Sequence, residues 1–253
     1  MKNNKEAILE VLNYYKQLLE RKGYKVIFVA LYGSQNYNVS DEKSDIDAKA
    51  IVLPTLTDII HRKVISTTLE TEYGSIDYKD IITFNDVVKK GNFSYIEAIQ
   101  SSYRIGDLDA INKLFGNIKV NLKSLIGGMH EKRTALTHLY PSKVAEFEQF
   151  GCDPKQFHHI WRLSDILQEN LNNNNVAFLR YNRKQRNFMI SLKRKLVMPL
   201  EKTLVLADMI IDRAEKSLNE AFPHGYKYEV VDNTEALDSY IEEEIRKQLV
   251  NKK

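Results

Sequence analysis

Cysteine is almost missing from this chain. Cys152 stands alone, which excludes an intramolecular disulfide framework and a cysteine-rich zinc site. Proline and glycine are scarce as well, with 5 and 10 residues in 253, so the chain is neither collagenous nor a low-complexity linker. No apolar run approaches the length of a membrane span. The first residues, MKNNKEAILEVLNYYKQ, lack the continuous apolar stretch of a signal peptide, so no membrane partner and cytoplasmic residence are expected. Neither sign of charge dominates: 37 basic and 34 acidic side chains leave a net charge of +3, too mild to establish a nucleic-acid partner. What remains, 43% apolar and 28% charged residues, suits one large domain or two small ones with a proper core.

The chemistry concentrates between Val26 and Leu53, VIFVALYGSQNYNVSDEKSDIDAKAIVL. The β-branched run from Val26 to Leu31 reads as a buried strand that stops at Gly33-Ser34. A second strand is expected from Ser44 through Val52. Alternate side chains of a strand share a face, so Asp45 and Asp47 are expected to point one way and Ile46 into the core. Two neighbouring carboxylates repel each other and resist full ionisation. A hard divalent cation such as Mg²⁺ or Mn²⁺ removes that penalty, and phosphoryl transfer commonly uses one. Gly33 permits close approach of a phosphate, and Ser34 offers a hydroxyl and an N–H. A third carboxylate, Asp77, lies between Ile76 and Tyr78 at the start of another apolar strand, Ser75 to Ile82. Glu70 and Glu72, which flank the preceding turn, are rival ligands.

Gly-Ser, ten residues, Asp-Ile-Asp and a later apolar-Asp-apolar strand resemble the signature of the DNA polymerase beta-type nucleotidyltransferase superfamily. The finer pattern GSQNYNVSDEKSDIDAKAIVLP is similar to its RNA-repair-associated and phage-encoded branch, with Tyr37 after the Gly-Ser and basic Lys49 two residues past the second Asp. Asn92 and Glu97 resemble that family's Asn-x-x-x-x-Glu element behind the active site, although helix capping accounts equally well for Asn92 and Ser94. Lys155, His159 and Arg162 stand at i, i+4 and i+7 of a predicted helix that Asp153 caps and Pro154 opens. They match the branch's Lys-x-x-x-His-x-x-Arg-Leu pattern, which by analogy faces the triphosphate. A surface stripe with a satisfied histidine is the plain alternative.

The fold class expected is α/β (α+β): a small mixed sheet in a catalytic domain over residues 1–104, then an all-helical domain over 105–253 that completes the cleft and binds the acceptor. A helix over residues 5–22 should pack on the first strand and carry no chemistry. A hairpin should join 63–71 to 76–82 around Gly74. After residue 83 strand signals fade. Short helices follow at 84–91 and 94–101, and Gly127-Gly128 is expected to bend a later one. Val176 to Tyr181 reads as a short strand or an extended segment, and helices are expected over 183–197, from Pro199 to about Ala221, and over 234–250.

The resemblance implies a nucleotidyltransferase that joins a nucleoside monophosphate from an NTP to an acceptor hydroxyl and releases pyrophosphate. Two Mg²⁺ or Mn²⁺ ions would sit on Asp45, Asp47 and Asp77, and Asp77 could also take the proton of the attacking hydroxyl. Gly33, Ser34, Lys49, Lys155, His159 and Arg162 would bind the nucleotide. An RNA 3′ end is the leading acceptor, because Arg180, Arg183, Lys184 and Arg186 open a basic stretch that could track a phosphate backbone. A solvated helix face is the alternative for that stretch. The other functional readings are transfer to a protein or small-molecule hydroxyl, and a non-catalytic nucleic-acid-binding or toxin–antitoxin partner.

Overall fold

The computed structural model describes residues 5–42, 44–195 and 197–250. Its architecture is mixed α/β, with a five-stranded mixed sheet and eleven α-helices among the described residues. By its internal contacts the chain divides into two compact units. Unit 1 comprises residues 1–36, 42–119 and 230–253, and unit 2 comprises 37–41 and 120–229.

Unit 1 begins with α1 (Lys5–Arg21), whose Ile8, Val11, Leu12, Tyr15 and Leu19 form one buried stripe. Then come β1 (Lys25–Tyr32), β2 (Asp47–Leu53), α2 (Leu56–Ile60), β3 (Ser66–Thr71) and β4 (Gly74–Asp80). The helices α3 (Ile81–Val88) and α4 (Phe93–Gln100), the short strand β5 (Arg104–Gly106) and α5 (Leu108–Phe115) follow. The strand order is β3-β4-β2-β1-β5. Only β2 and β4 run parallel, and their register sets Lys49 opposite Asp77. The stripe of α1 covers one sheet face, against Val29, Leu31, Ala48, Ala50, Val52, Ile76 and Tyr78. Residues between those positions, Asp47, Lys49, Asp77 and Lys79 among them, belong by alternation to the opposite face. There α4 supplies Tyr95 and Glu97.

Unit 2 contains α6 (Leu122–Leu136), α7 (Val144–Phe150), α8 (Pro154–Leu171), α9 (Arg183–Arg194) and α10 (Leu200–Ala221). Here α8 is the central element, packed against α6, α9 and α10. The chain then returns to unit 1 with α11 (Thr234–Val250).

Three expectations need correction. The strand carrying the paired carboxylates starts at Asp47, so Asp45 lies just outside it and is exposed, while Ile46 is buried as expected. A fifth strand, Arg104–Gly106, pairs with β1 beyond the point where strand signals fade; its three residues are too few to show a period. Gly127 and Gly128 lie within the helical span of α6, as expected of glycines inside a helix. The boundary falls at 119/120 instead of 104/105, and 230–250 pack with unit 1, where Glu244 of α11 pairs with Lys25 and Asn233 donates to the Leu114 carbonyl. Val176 to Tyr181 forms no strand, and its backbone bends at Ala177.

Candidate active site

The candidate site of unit 1 is built around the end of β1 and the starts of β2 and β4. The left-handed backbone at Gly33, φ +94°, suits a residue without a side chain. A methyl group placed there would meet only Oδ2 of Asp47, at 4.0 Å. Beside Gly33, Ser34 is half-buried, and its hydroxyl has no partner among the described residues.

The loop is held from behind. Glu97, fully buried in α4, accepts from the Gly33 N–H at 2.7 Å and from the Asn36 side-chain amide at 3.1 Å. Asn36 also donates to the Leu31 carbonyl and accepts from Ser101 Oγ at 2.8 Å. Glu97 therefore fixes the loop's geometry and occupies the Gly33 N–H, leaving Ser34 as the loop's open donor. Asn92, as capping chemistry suggests, is the N-cap of α4 and accepts from the Ser94 N–H.

Of the paired carboxylates, Asp47 uses one oxygen only. Its Oδ1 accepts from the Ser75 N–H at 3.0 Å and the Ser75 hydroxyl at 2.8 Å, while Oδ2 faces the empty side of Gly33. Asp45 makes no hydrogen bond among the described residues. Its Cβ lies 3.0 Å from where a Gly74 methyl would stand, and the Ile46 carbonyl lies at 2.9 Å, so the β3–β4 turn packs directly on the Asp-Ile-Asp segment. From α1, Tyr15 donates to the Ile46 carbonyl at 2.8 Å. Burial, and then the charges of Asp47 and Asp45, push its hydroxyl up to about 12 against the pull of Thr71. The first helix, expected to carry no chemistry, thus supports the carboxylate segment.

Asp77 has cations of its own. Lys49, almost wholly buried, places Nζ 2.8 Å from Asp77 Oδ2, and the Tyr95 hydroxyl donates to the same oxygen at 2.8 Å. Lys79 stands 3.6 Å from Oδ1. The Lys49 ammonium also lies 3.9 Å from the Tyr95 ring centre and 4.6 Å from that of Tyr32. Burial pushes the Asp77 carboxyl up, but Lys49, Tyr95 and Lys79 together hold it below the usual carboxylate range. The same surroundings, burial foremost and then the Asp77 bond, push the Tyr95 hydroxyl up.

The donor set has two parts. Asp45 and Asp47 offer free, hard oxygens that suit a divalent cation. Asp77 is already neutralised by lysine, and among the described residues no group of three or more His, Cys, Asp or Glu is arranged to hold a metal ion. Of the rivals, Glu70 lies on β3 opposite Ser75, and Glu72 lies in the turn between β3 and β4.

In unit 2 the residues Lys155, His159 and Arg162 do not share one exposed face. Lys155 is exposed, His159 half-buried and Arg162 buried, with its guanidinium 4.1 Å from the centre of the Tyr37 ring. Neighbouring His158 is 2% exposed, and neither of its ring nitrogens has a hydrogen-bond partner among the described residues; the same holds for Nδ1 of His159. Burial, reinforced by nearby positive charge from Arg162 and Lys155, pushes both imidazoles well below their ordinary range, so both are neutral at pH 7. Two cations of the basic stretch are structural: Arg186 donates to the Ser40 carbonyl, and Arg194 forms a two-point pair with Asp41. Arg180, Arg183 and Lys184 are exposed.

In unit 1, Asp47 thus lies beside Gly33, Lys49 pairs with Asp77 on the adjacent strand, and Asp45 packs on the turn at Gly74. Sequence reasoning missed Ser75, Tyr95 and Tyr15. Only the parallel register of β2 and β4 and the packing of two helices bring these to the carboxylates. No protein-family model matches the chain, and no curated protein matches it significantly. Among the described residues no helix is long and apolar enough to cross a membrane.

Proposed function

We propose that unit 1 catalyses nucleotidyl transfer, as a member of the DNA polymerase beta-type superfamily, from an NTP to a hydroxyl acceptor, with an RNA 3′ end as the acceptor. One observation carries the reading: Asp47 Oδ2, free of hydrogen bonds among the described residues, is the one atom at the bare side of Gly33, next to Ser34, whose hydroxyl likewise has no partner among the described residues. Clustered carboxylates with spare oxygens beside a Gly-Ser turn suit a polyphosphate accompanied by a hard divalent cation.

Asp45 and Asp47 would hold that cation, Mg²⁺ or Mn²⁺, which when bound would neutralise phosphate charge. Ser34 donates to a phosphate oxygen, and Glu97 keeps the loop in the shape that allows it. Asp77 stays ionised under Lys49 and Tyr95, and as a weak base it orients the acceptor hydroxyl better than it retains a proton. Participation of Asp77 in a second cation site requires Lys49 to give way. In the reaction the acceptor oxygen bonds the α-phosphorus, the bond to the bridging oxygen breaks, pyrophosphate leaves and the hydroxyl proton passes to solvent. The exposed cations of α9 in unit 2, Arg183 and Lys184, with Arg180 ahead of them, suit the acceptor's phosphate backbone.

The test is incubation with each NTP labelled at the α-phosphate, Mg²⁺ or Mn²⁺, and total cellular RNA, beside Asp45→Ala/Asp47→Ala. Label on RNA with the wild type alone is expected. Label on protein would move the acceptor to a protein hydroxyl, and label on nothing would remove the RNA reading.

A further inference from the structure

The N-terminal turn of α9 carries charge of the wrong sign for a helix. The helix dipole is positive there, so a cation at that end is unfavourable by about 0.3–1 kcal/mol. Yet α9 begins Arg183-Lys184 with no acidic residue in its first turn. Neither side chain has an ion-pair partner among the described residues, and both are exposed. From residue 170 to 200 the chain carries seven basic side chains and no acidic one. Local folding is not helped by this placement, whereas an arriving anion is attracted by the side chains and the helix end together.

One turn on, four residues past Lys184 and on the same face, Phe188 is 43% exposed. Its inner side is braced: the Trp161 ring centre lies 5.1 Å away at 74°. Trp161 in turn meets Phe157, 2% exposed, at 6.3 Å. A chain of three rings therefore runs from the interior of unit 2 to a ring presented beside two unpaired cations. An anionic surface alone would need no ring, and an apolar partner would not need the cations. A polymer with a phosphate backbone and unpaired planar bases satisfies both. In a duplex the bases are already stacked and offer no face to Phe188.

We propose that the Lys184–Phe188 face of α9 binds single-stranded nucleic acid, with Phe188 stacking on one unpaired base and Arg183 and Lys184 on flanking phosphates. This extends the reading of unit 2 as the acceptor-binding part and names the acceptor as a single strand. The experiment uses the full chain carrying Asp45→Ala/Asp47→Ala, in EDTA and without NTP, so that binding is read apart from transfer. A labelled twelve-nucleotide single-stranded RNA and the same sequence as a duplex are titrated by fluorescence anisotropy at several salt concentrations. Trp161, the one tryptophan of the chain, reports directly, because a base on Phe188 changes the surroundings of its indole.

Phe188→Ala should weaken single-strand binding about 5- to 150-fold, the range for losing one stacked base, with the salt dependence unchanged. Phe188→Tyr should restore it. Arg183→Ala/Lys184→Ala should lower the slope of log affinity against log salt by about 1.4, at about 0.7 per phosphate contact. The single strand should change Trp161 emission, and the duplex should not. The proposal is overturned if Phe188→Ala changes the affinity less than twofold, if it weakens single strand and duplex equally, or if polyglutamate competes as well as RNA. Single-strand binding without label transfer would leave this proposal standing and remove the catalytic one. Transfer without Phe188-dependent binding would do the reverse.

Discussion

Replacing Lys49 by methionine keeps a long apolar stem and removes one charge from an enclosed pair. The Lys49 side chain is 8% exposed and that of Asp77 24%. Removing one member of a buried pair strands the other, at a cost of about 3–5 kcal/mol. Asp77 would keep the Tyr95 hydroxyl at 2.8 Å and Lys79 at 3.6 Å, which brings the carboxylate's share toward about 2 kcal/mol. Loss of the ammonium over the Tyr95 and Tyr32 rings adds about 0.5–1 kcal/mol, for a total of about 3 kcal/mol. Because the chain has two units, a single unfolding free energy is not well defined. Native-state hydrogen exchange of the β2 and β4 amides is the suitable measure, and their opening free energy should fall by about 3 kcal/mol. Asp77→Asn added to Lys49→Met should return most of it, since a neutral amide needs no counter-ion. If Lys49→Met costs under about 1 kcal/mol, or the second substitution returns nothing, the pair is not the internal neutralisation described here.

Three further outcomes follow from the same geometry. Gly33→Ala should destabilise by about 1–2 kcal/mol through its left-handed backbone, and its methyl beside Asp47 Oδ2 should reduce NTP binding in calorimetric titration. Glu97→Ala should cost about 1–3 kcal/mol by leaving the Gly33 N–H and Asn36 amide without an acceptor, with Glu97→Gln recovering much of this in thermal melts. The two imidazoles of α8 have folded pKa values below their unfolded ones, so above about pH 6.5 they leave stability unchanged. As pH falls below that value the unfolded chain takes up protons that the folded one refuses, and stability should drop by up to about 1.4 kcal/mol per pH unit for each histidine. Melting followed by Trp161 emission between pH 7.5 and 5.5 should show this slope, and His158→Phe should roughly halve it.

The parts of the site that lie close in sequence were legible from local pattern. Gly33-Ser34 ends a β-branched run, Asp45 and Asp47 bracket the core residue Ile46, and Asp77 sits between two buried residues. Asp47 and Asp77 need only the period of a strand to be placed, whereas Asp45 lies ahead of β2 and escapes that period. Lys49 was assigned to the nucleotide by resemblance. That it faces Asp77 depends on a parallel register between strands joined through α2 and β3, which no local period encodes. Tyr95 and Glu97 enter from α4 and Tyr15 from α1, so their roles depend on how helices pack on the two sheet faces. The helices α8, α10 and α11 were readable to within a residue or two because caps and apolar stripes agree. In α8, however, the residues at i, i+4 and i+7 differ widely in exposure. Even spacing along a helix fixes direction, not depth, and depth is set by what α6, α9 and α10 cover.

The nesting of the two units gives the protein a clock. Lys25 waits for Glu244, 219 residues further along the chain. At about 5–20 residues per second, that is an interval of about 10 to 45 seconds on a ribosome. All of unit 2 is made inside that interval. The sheet with its carboxylates must therefore pass through synthesis without α11, its last helix. Unit 2, apart from residues 37–41, is synthesised in one run, and its last residue precedes α11.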